Sequence, residues 1–240
     1  FPDHYRVLSL KSMLLPDLLS QPFNDKLITN ELAHDFMARK LTESNEKVTI
    51  LLTGPCTNLV YAIKNHPHIV NKIDEVIWMA GAFKSKGNVH HQGNGSTAEW
   101  NVYWDPESAN ELLTYGLNIT IFPLDVSNQV PVDIKFLKRL TENKVYIVSN
   151  IVSQFYAFSY FEDPGGFDNY YMWDTLTAGY LGCDNFCEIE KYEVDVITEG
   201  AHEGRTIVSE GCGQWVNVVV KVDSDKFTNY FLNLMKDNTF

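Results

Sequence analysis

Apolar residues along the chain follow two patterns. Short runs of aliphatic and β-branched residues predict buried strands, whereas stretches in which apolar residues recur every three or four positions predict helices. The predicted strands are Arg6–Leu10, Lys47–Leu52, Ile73–Gly81, Asn118–Leu124, Tyr192–Thr198 and Trp215–Lys221. Runs such as KVTILL are typical of strands that are buried on both faces of a parallel sheet.

Helices are predicted between and after these strands. The predicted helices are Thr29–Thr42, one capped by Thr57 or Asn58 that ends near Asn65, Asp105–Gly116, Pro131–Leu140, Thr141–Phe161, Tyr170–Gly182 and Ser224–Met235. The helix over Thr141–Phe161 is apolar on more than one face, so we expect it to be buried. The alternation of strands and helices predicts an α/β fold with a mostly parallel sheet and helices on both faces, in one domain over residues 1–240.

Residues suited to binding a ligand follow several predicted strands directly. Thr53 follows one strand, Met79 stands near the end of the next with the Gly87–Pro106 segment behind it, and Asp125 follows a third. The carboxyl ends of parallel strands lie at one edge of a sheet, where ligands bind in this class of fold. The sequence therefore predicts a binding site at that edge.

The Gly87–Pro106 segment is rich in amides, glycines and tryptophans. Asn88, Glu99 and Asn101 are suited to holding neighbouring hydroxyl groups, and an extended backbone would point Glu99 and Asn101 to the same side. One interpretation is a cradle for a polyhydroxylated ligand such as a sugar. The other is a surface loop whose polar residues face water, and the segment alone favours neither.

Two oxygen donors are candidates for a metal site. The Thr53 carbonyl precedes a Gly-Pro turn, and Asp174 begins a predicted helix beside an aromatic cluster. Carbonyl and carboxylate oxygens suit calcium, which takes about six to eight oxygen ligands. Two donors are too few for a complete site, and an aspartate at a helix start is also a common helix cap.

The aromatic and histidine residues near these positions have less specific meaning. Tryptophans are more often packed in a core than used as ligand platforms, but Trp173 neighbours Asp174 and can stack on a flat heteroaromatic ring. The pair His90–His91 lies in a Gly- and Asn-rich loop without a third metal ligand, so we interpret it as a loop feature.

Composition and charge exclude some classes of function. The formal net charge of −12 argues against a nucleic-acid binder, which needs a basic surface. No apolar run approaches the length of a membrane span, and no signal peptide is recognisable. Four cysteines without a CxxC pair are interpreted as reduced core residues, so we expect a cytoplasmic protein.

A series of short motifs resembles the nucleoside hydrolase family, most closely its purine-specific inosine-adenosine-guanosine members. The motifs occur in the family's order from about Glu46 to the C-terminus. They are Thr53-Gly-Pro-Cys-Thr-Asn58, Trp78-Met-Ala-Gly81, Gly87-Asn88, Ala98-Glu-Trp-Asn101, Asp105-Pro106 and Tyr170-Tyr-Met-Trp-Asp174. The resemblance implies a Rossmann-like core and hydrolysis of the N-glycosidic bond of ribonucleosides at a Ca²⁺ site.

The resemblance also implies a role for each matching residue. The Thr53 carbonyl and the Asp174 carboxylate would be calcium ligands. Asn88, Glu99 and Asn101 would hold the ribose hydroxyls, and Met79 would line the substrate pocket. Trp173 stands where pyrimidine-accepting members commonly have a His, so the resemblance implies stacking on a purine leaving group. The expected ligand is therefore a purine ribonucleoside, used in purine salvage.

One family motif has no counterpart in this chain. Family members begin with an aspartate-rich motif that supplies two more calcium ligands, a ribose ligand and the general base. Asp3, Asp17, Asp25 and Asp35 do not follow that pattern. We therefore expect this chain to be the C-terminal portion of a longer nucleoside hydrolase domain, with its general base elsewhere. It would work as a homo-oligomer, or with a companion N-terminal fragment or partner chain.

Two other functions stay open on the sequence. A nucleoside hydrolase fold can be retained as a non-catalytic structural or interaction subunit, and the missing aspartate motif favours this alternative. The retained Asn88, Glu99, Asn101 and Asp174 favour an enzyme instead. A nucleoside-binding protein without turnover is a third possibility.

Overall fold

The computed structural model describes residues 29–90, 96–143, 145–162 and 170–236, without the side chains of residues 158–162. Contacts between Cα atoms group the chain into two compact units, Phe1–Glu31 and Leu32–Phe240. All the helices and strands that the structure describes belong to the second unit. The predicted strand at Arg6–Leu10 lies outside the described residues, and the prediction of one domain over the whole chain stays a prediction.

Six strands form one sheet in the order β1-β2-β3-β6-β4-β5. The pairs β1/β2, β2/β3 and β3/β6 are parallel, and β6/β4 and β4/β5 are antiparallel. The strands are β1 (Val48–Leu52), β2 (Ile73–Met79), β3 (Ile119–Phe122), β4 (Cys187–Val196), β5 (Thr206–Val208) and β6 (Gln214–Val222). The predicted α/β fold with a mostly parallel sheet is confirmed.

Helices connect the strands of the sheet. The helices that the structure describes are α1 (Ala33–Glu43), α2 (Thr57–Asn65), a 3-10 helix (Pro67–Lys72), α3 (Trp100–Tyr103), α4 (Pro106–Thr114), α5 (Leu124–Ser127), α6 (Ile134–Glu142), α7 (Ile147–Glu162), α8 (Trp173–Gly179) and α9 (Ser224–Leu234). Among the described residues, no helix combines the length and the hydropathy that crossing a bilayer requires.

Apolar side chains cover both faces of the sheet. Successive residues of a strand point to opposite faces, and in β2 Val76 and Trp78 pack into one buried cluster while Ile77 packs into the other. The first cluster receives helices α1, α2 and α4, and the second receives α6, α8 and α9. The expected helices on both faces are therefore present.

Several predicted elements differ from the structure. The expected helix Thr141–Phe161 is wrong in its start and its burial, because α6 continues to Glu142 and α7 begins at Ile147. Val145 and Ile147 are 81% and 73% exposed. The helix predicted at Tyr170 begins at Trp173. Of the predicted core cysteines, Cys56 is buried but Cys212 is exposed, and all four are free.

The antiparallel part of the sheet was the least predictable. β4 begins at Cys187, five residues before the predicted start, and the short strand β5 was not predicted. The first half of β4 is exposed on both faces from Glu188 to Lys191, so it lacks the apolar run that marks a buried strand. Pairing with β6 over Cys187–Val194 holds it in the sheet.

Candidate active site

A cleft of about 630 Å³ opens beside the carboxyl ends of β1 and β2. The seven residues that the sequence predicted as ligand-binding all line it. They are Thr53, Met79, Asn88, Glu99, Asn101, Trp173 and Asp174. The structure thus brings together residues from positions 53 to 174 at the sheet edge that the strand order predicts.

One group of cleft residues, which we call the sugar wall, consists of Met79, Asn88, Glu99 and Asn101. The expected extended backbone at Glu99 and Asn101 is wrong, because Glu99 is the N-cap of helix α3. Its carboxylate accepts hydrogen bonds from the backbone N–H groups of Gly81 and Asn101, both at 3.0 Å, and of Val102 at 3.4 Å. Both side chains still reach the same cleft because α3 turns there.

The amides of the sugar wall are held by the backbone. The Asn101 side-chain nitrogen donates to the carbonyl oxygen of Met79 at 2.9 Å, and the Asn88 side-chain oxygen accepts from the Trp100 N–H at 3.1 Å. Gly87 lies so close to the backbone of Ala98 that a Cβ at this position would approach the Ala98 carbonyl oxygen to 2.1 Å. Glycine is therefore required beside Asn88.

Burial controls the charge of Glu99. Glu99 is 2% exposed, and this loss of water raises the pKa of its carboxyl group. The three backbone N–H groups lower the pKa in part, and the nearby Asp174 charge raises it further. The resulting pKa is about 7. Glu99 can therefore carry either a proton or a charge near neutral pH, so its proton can be shared with a bound hydroxyl group.

A second group of cleft residues, which we call the metal wall, consists of Thr53 and Asp174. Thr53 follows β1, and the next carbonyl, that of Gly54, accepts a hydrogen bond of 2.9 Å from the Trp78 indole. Asp174 lies in the first turn of α8, but the N-cap position belongs to Met172, so the interpretation of Asp174 as a helix cap is wrong. Its side chain is open to the cleft.

The metal wall supplies oxygen donors of the kind that calcium prefers. The walls of the cleft exclude enough water from Asp174 to raise its pKa to about 6. A cation beside a carboxylate favours its charged form, which would reverse that shift. Within the described residues, no group of three or more His, Cys, Asp and Glu side chains is placed to hold a metal ion. The donors fit calcium in chemistry but are too few to complete its shell.

Trp173 is placed where it can contact a bound ring. It lines the cleft, and its indole N–H donates to the Asn128 side-chain oxygen at 2.9 Å. The Tyr170 ring packs edge-on against it at 5.1 Å, and the Tyr171 ring lies tilted at 5.7 Å. These contacts fix the orientation of the indole within an aromatic group.

Sequence reasoning missed other residues of the cleft. Asn128 lies three residues after Asp125, in the segment that follows β3, and that position at the sheet edge was the only available signal. Asp125 itself is not in the cleft, and its oxygens accept from the N–H groups of Phe83, Lys84 and Ser85 at 2.6–3.1 Å. His90, interpreted as a loop feature, lines the cleft, whereas His91 lies outside the described residues.

Comparison with known proteins identifies the family. The model of the family "inosine-uridine preferring nucleoside hydrolase" matches residues 10–229. This chain belongs to the nucleoside hydrolases. The match begins well before Glu46, where the sequence motifs suggested a start, so residues that lack recognisable motifs also carry the family pattern.

Three relatives illustrate the similarity of this nucleoside hydrolase chain. It is 29% identical over 188 residues to the probable uridine nucleosidase 1 of Oryza sativa subsp. japonica, covering 78% of this chain and 56% of the relative. It is 31% identical over 204 residues to the pyrimidine-specific ribonucleoside hydrolase RihA of Klebsiella pneumoniae, covering 82% and 63%.

The third relative is a solved structure. The inosine-uridine preferring nucleoside hydrolase of Bacillus anthracis aligns with a TM-score of 0.80 and 34% identity, covering 87% of this chain and 67% of that one. The chain spans 56% to 63% of the length of the two curated relatives above. The similarity confirms the nucleoside hydrolase fold and family, and the purine-specific subclass stays a prediction.

Proposed function

We propose that this chain hydrolyses the N-glycosidic bond of ribonucleosides and provides the part of the active site that holds the ribose. One observation carries the proposal: seven residues predicted from separate motifs line a single cleft. The sugar wall presents two amides and a carboxyl group with a pKa of about 7, which is a suitable set for neighbouring hydroxyl groups.

The chain's own residues support the reaction mainly by positioning. Asn88, Glu99 and Asn101 are fixed by backbone hydrogen bonds, so they hold a sugar without first reorganising. A tight hold raises the rate only where it strengthens as the sugar approaches an oxocarbenium-like transition state. The raised pKa of Glu99 lets its hydrogen bond to a hydroxyl group change in strength during that step.

We propose Ca²⁺ as the metal, with the Thr53 carbonyl and the Asp174 carboxylate among its ligands. When bound, calcium would orient a water molecule and make it more acidic. The remaining ligands and the general base would come from residues other than those described, from a companion fragment or from a partner chain. We propose on the same ground that the chain works as a homo-oligomer.

A purine leaving group is the more specific part of the proposal. Trp173 offers an indole whose N–H is tied to Asn128, and a purine presents a larger face for stacking than a pyrimidine. The names of the two curated relatives refer to uridine and pyrimidine substrates, so the preference needs a direct comparison. We expect a higher kcat/KM for inosine than for uridine.

The proposal is tested by measuring base release from inosine and uridine with and without added calcium. Asp174→Asn is expected to reduce calcium affinity and calcium-dependent turnover by at least about tenfold, because a charged ligand becomes a neutral one. Lys138→Gln, on α6 away from the cleft, serves as a control. Turnover that persists in Asp174→Asn would remove Asp174 from the metal site, and a uridine preference would contradict the role of Trp173.

A second candidate is a non-catalytic subunit with the same fold. The observation that favours it is the metal wall, where the described residues supply two candidate oxygen donors and no cluster of three acidic or His residues. Tight nucleoside binding without base release, with calcium present and with the partner or companion fragment supplied, would favour this candidate over the enzyme.

A further inference from the structure

Asn128 is an amide of the cleft that no sequence motif singled out. It stands at the carboxyl end of the short helix α5, where its backbone N–H donates to the Leu124 carbonyl oxygen at 3.1 Å. Its side-chain oxygen accepts from the Trp173 indole N–H at 2.9 Å, and both residues line the cleft. Asn128 therefore lies directly beside the ring that is proposed to contact the leaving base.

Backbone pairing holds Asn128 and Trp173 beside each other. The segment that follows Asn128 runs antiparallel to the segment that precedes Trp173, with an isolated bridge between Pro131 and Tyr171. Two backbone hydrogen bonds of 2.8 and 2.9 Å flank that bridge. Met172, directly before Trp173, is 1% exposed and packs in the hydrophobic core. The contact between amide and indole is therefore built by the fold and does not need a ligand to form.

The indole determines which end of the Asn128 amide faces it. An indole N–H can only donate a hydrogen bond, so the atom that it meets must be the amide oxygen. The NH₂ end of the amide therefore faces away from the indole nitrogen of Trp173. Within the part of the chain that the structure describes, this NH₂ group donates to no protein acceptor, and it is not a buried atom without a partner. Its N–H donors are left for a ligand of the cleft.

We propose that Asn128 recognises the leaving base, with its NH₂ group donating a hydrogen bond to an acceptor atom on the edge of a base that contacts the Trp173 indole. This inference rests on the proposed function, because it assumes that the base lies against Trp173. Purines and pyrimidines both carry carbonyl oxygens or unprotonated ring nitrogens on their edges. The chemical class of the ligand is therefore a nucleobase with such an acceptor, and a plain aromatic ring gains nothing from Asn128.

The same hydrogen bond favours the reaction as well as binding. In hydrolysis, a water oxygen bonds to C1′ of the ribose, the electron pair of the broken C1′–N bond goes to the base, and one proton of the water ends on the base. The acceptor atoms of the base gain electron density as that bond breaks, so a hydrogen bond to them strengthens in the transition state. Because the fold already holds Asn128 in place, the donor needs no reorganisation.

Replacing the amide by a carboxylate separates recognition of the base from positioning of the indole. Asn128→Asp keeps an oxygen that accepts from Trp173 but removes the NH₂ donor, whereas Asn128→Ala removes both. Calorimetric titration of the whole chain in calcium measures the affinity for inosine, for uridine and for 1-deoxy-1-phenylribose, in which a phenyl ring without acceptor atoms replaces the base. We expect Asn128→Asp to weaken binding of the preferred nucleoside about tenfold and binding of the phenyl compound by less than about twofold.

A neighbouring amide provides the matched control for the added charge. Gln129→Glu introduces the same negative charge one position along the chain, and the Gln129 side chain lines a different cavity from the cleft. We expect this variant to bind nucleosides within about twofold of the parent chain. A loss equal to that of Asn128→Asp would assign the effect to charge alone and would overturn the inference.

Inosine analogues test the same hydrogen bond without any substitution in the protein. The analogues are 7-deazainosine, 3-deazainosine and purine riboside, which lack N7, N3 and the 6-oxo oxygen of the base, respectively. We expect one of them to bind the parent chain about tenfold more weakly than inosine does. In Asn128→Asp that analogue and inosine should bind equally, because the donor that distinguishes them is gone.

The two sets of measurements decide the inference. It is overturned if Asn128→Asp binds nucleosides as tightly as the parent chain, since the amide then serves only to position Trp173. It is also overturned if no analogue binds more weakly than inosine. A parent chain that binds nucleosides but releases no base contradicts the proposed hydrolysis and leaves these binding comparisons valid, whereas a parent chain that binds no nucleoside overturns both.

Discussion

The two walls of the cleft are built in different ways. On the sugar wall, Glu99 is 2% exposed and accepts three backbone hydrogen bonds, and Asn101 donates to the Met79 carbonyl. On the metal wall, Asp174 lines the cleft, and partial loss of water raises its pKa to about 6. The sugar wall is therefore satisfied by the protein itself, whereas the metal wall presents charge that needs a partner.

This difference separates structural residues from residues that depend on a ligand. Removing a group that the protein itself satisfies leaves buried partners unpaired and lowers stability. Removing a group that awaits a ligand leaves nothing unpaired, so it affects binding and spares the fold. Stability measurements without metal and binding measurements with metal should therefore rank the two walls in opposite orders.

The largest expected loss of stability is that of the Glu99→Ala variant. The three N–H groups of Gly81, Asn101 and Val102 lose their acceptor, and we expect a loss of about 3 kcal/mol in the free energy of unfolding. Urea denaturation at pH 6 without metal measures it, because below the pKa of about 7 the buried charge is largely neutralised. Glu99→Gln keeps one of the two oxygen acceptors and should lose less, but the N–H groups that face its amide nitrogen stay unpaired.

The matched change on the metal wall is Asp174→Ala. Under the same metal-free conditions we expect its free energy of unfolding to stay within about 0.5 kcal/mol of the parent chain. A destabilisation as large as that of Glu99→Ala would show that the two walls do not differ in the way described.

An intermediate effect is expected at Asp105, which connects helices α2 and α4. Its side chain caps α4 by accepting from the Ser108 N–H at 3.0 Å and accepts from the Thr57 hydroxyl at 2.5 Å. Asp105→Ala should cost about 2 kcal/mol, from the lost cap and the lost hydroxyl bond. Asp133→Ala, which removes the cap of α6 alone, should cost about 1 kcal/mol.

The Asp105 contribution depends on pH. Burial alone would raise its pKa, but the hydrogen bonds from Thr57 and Ser108 outweigh burial and lower it below the usual 3.8. The stabilisation by ionised Asp105 is thus fully present above pH 3.8 and is lost as pH falls through the lower folded-state value. The stability gap between the parent chain and Asp105→Asn should narrow only in that acid range.

The smallest expected effect is the change in calcium affinity caused by Thr53→Ala. The proposed calcium ligand is the main-chain carbonyl, which this substitution keeps, so calcium affinity should change by less than about twofold. Asp174→Asn in the same titration provides the contrast. A large loss in Thr53→Ala would assign the metal contact to the Thr53 hydroxyl group instead of its carbonyl.

The sequence predicts the parallel part of the molecule better than the antiparallel part. β1, β2 and β3 are apolar runs that end at Gly or Pro signals, and their order along the chain leads to the cleft. β4 and β5 are partly exposed and have no long apolar run of their own. Pairing with neighbouring strands holds them in the sheet. The periodicity of apolar residues in one sequence does not reveal which strands pair with each other.

The sequence predicted which residues line the cleft, but not the contacts that position them. The seven candidates met in one cleft because they follow strands at one sheet edge. The α3 helix under Glu99 and the indole contact of Asn128 depend on tertiary contacts between residues 18 and 45 positions apart in the chain. Arg205 likewise lines one cavity together with Lys84 and Lys86, and no local pattern in the sequence predicts that these residues meet.

The position of β6 in the sheet has a consequence for how the protein folds. β6 pairs with β3 in parallel, and Asn217 bonds to Thr120 across 97 positions of chain. Closing such a long loop is slow, whereas β4 and β6 lie near each other in sequence and can pair early. We expect the antiparallel strands to assemble first and to dock onto β3 late, so the parallel and antiparallel parts of the sheet join only near the end of folding.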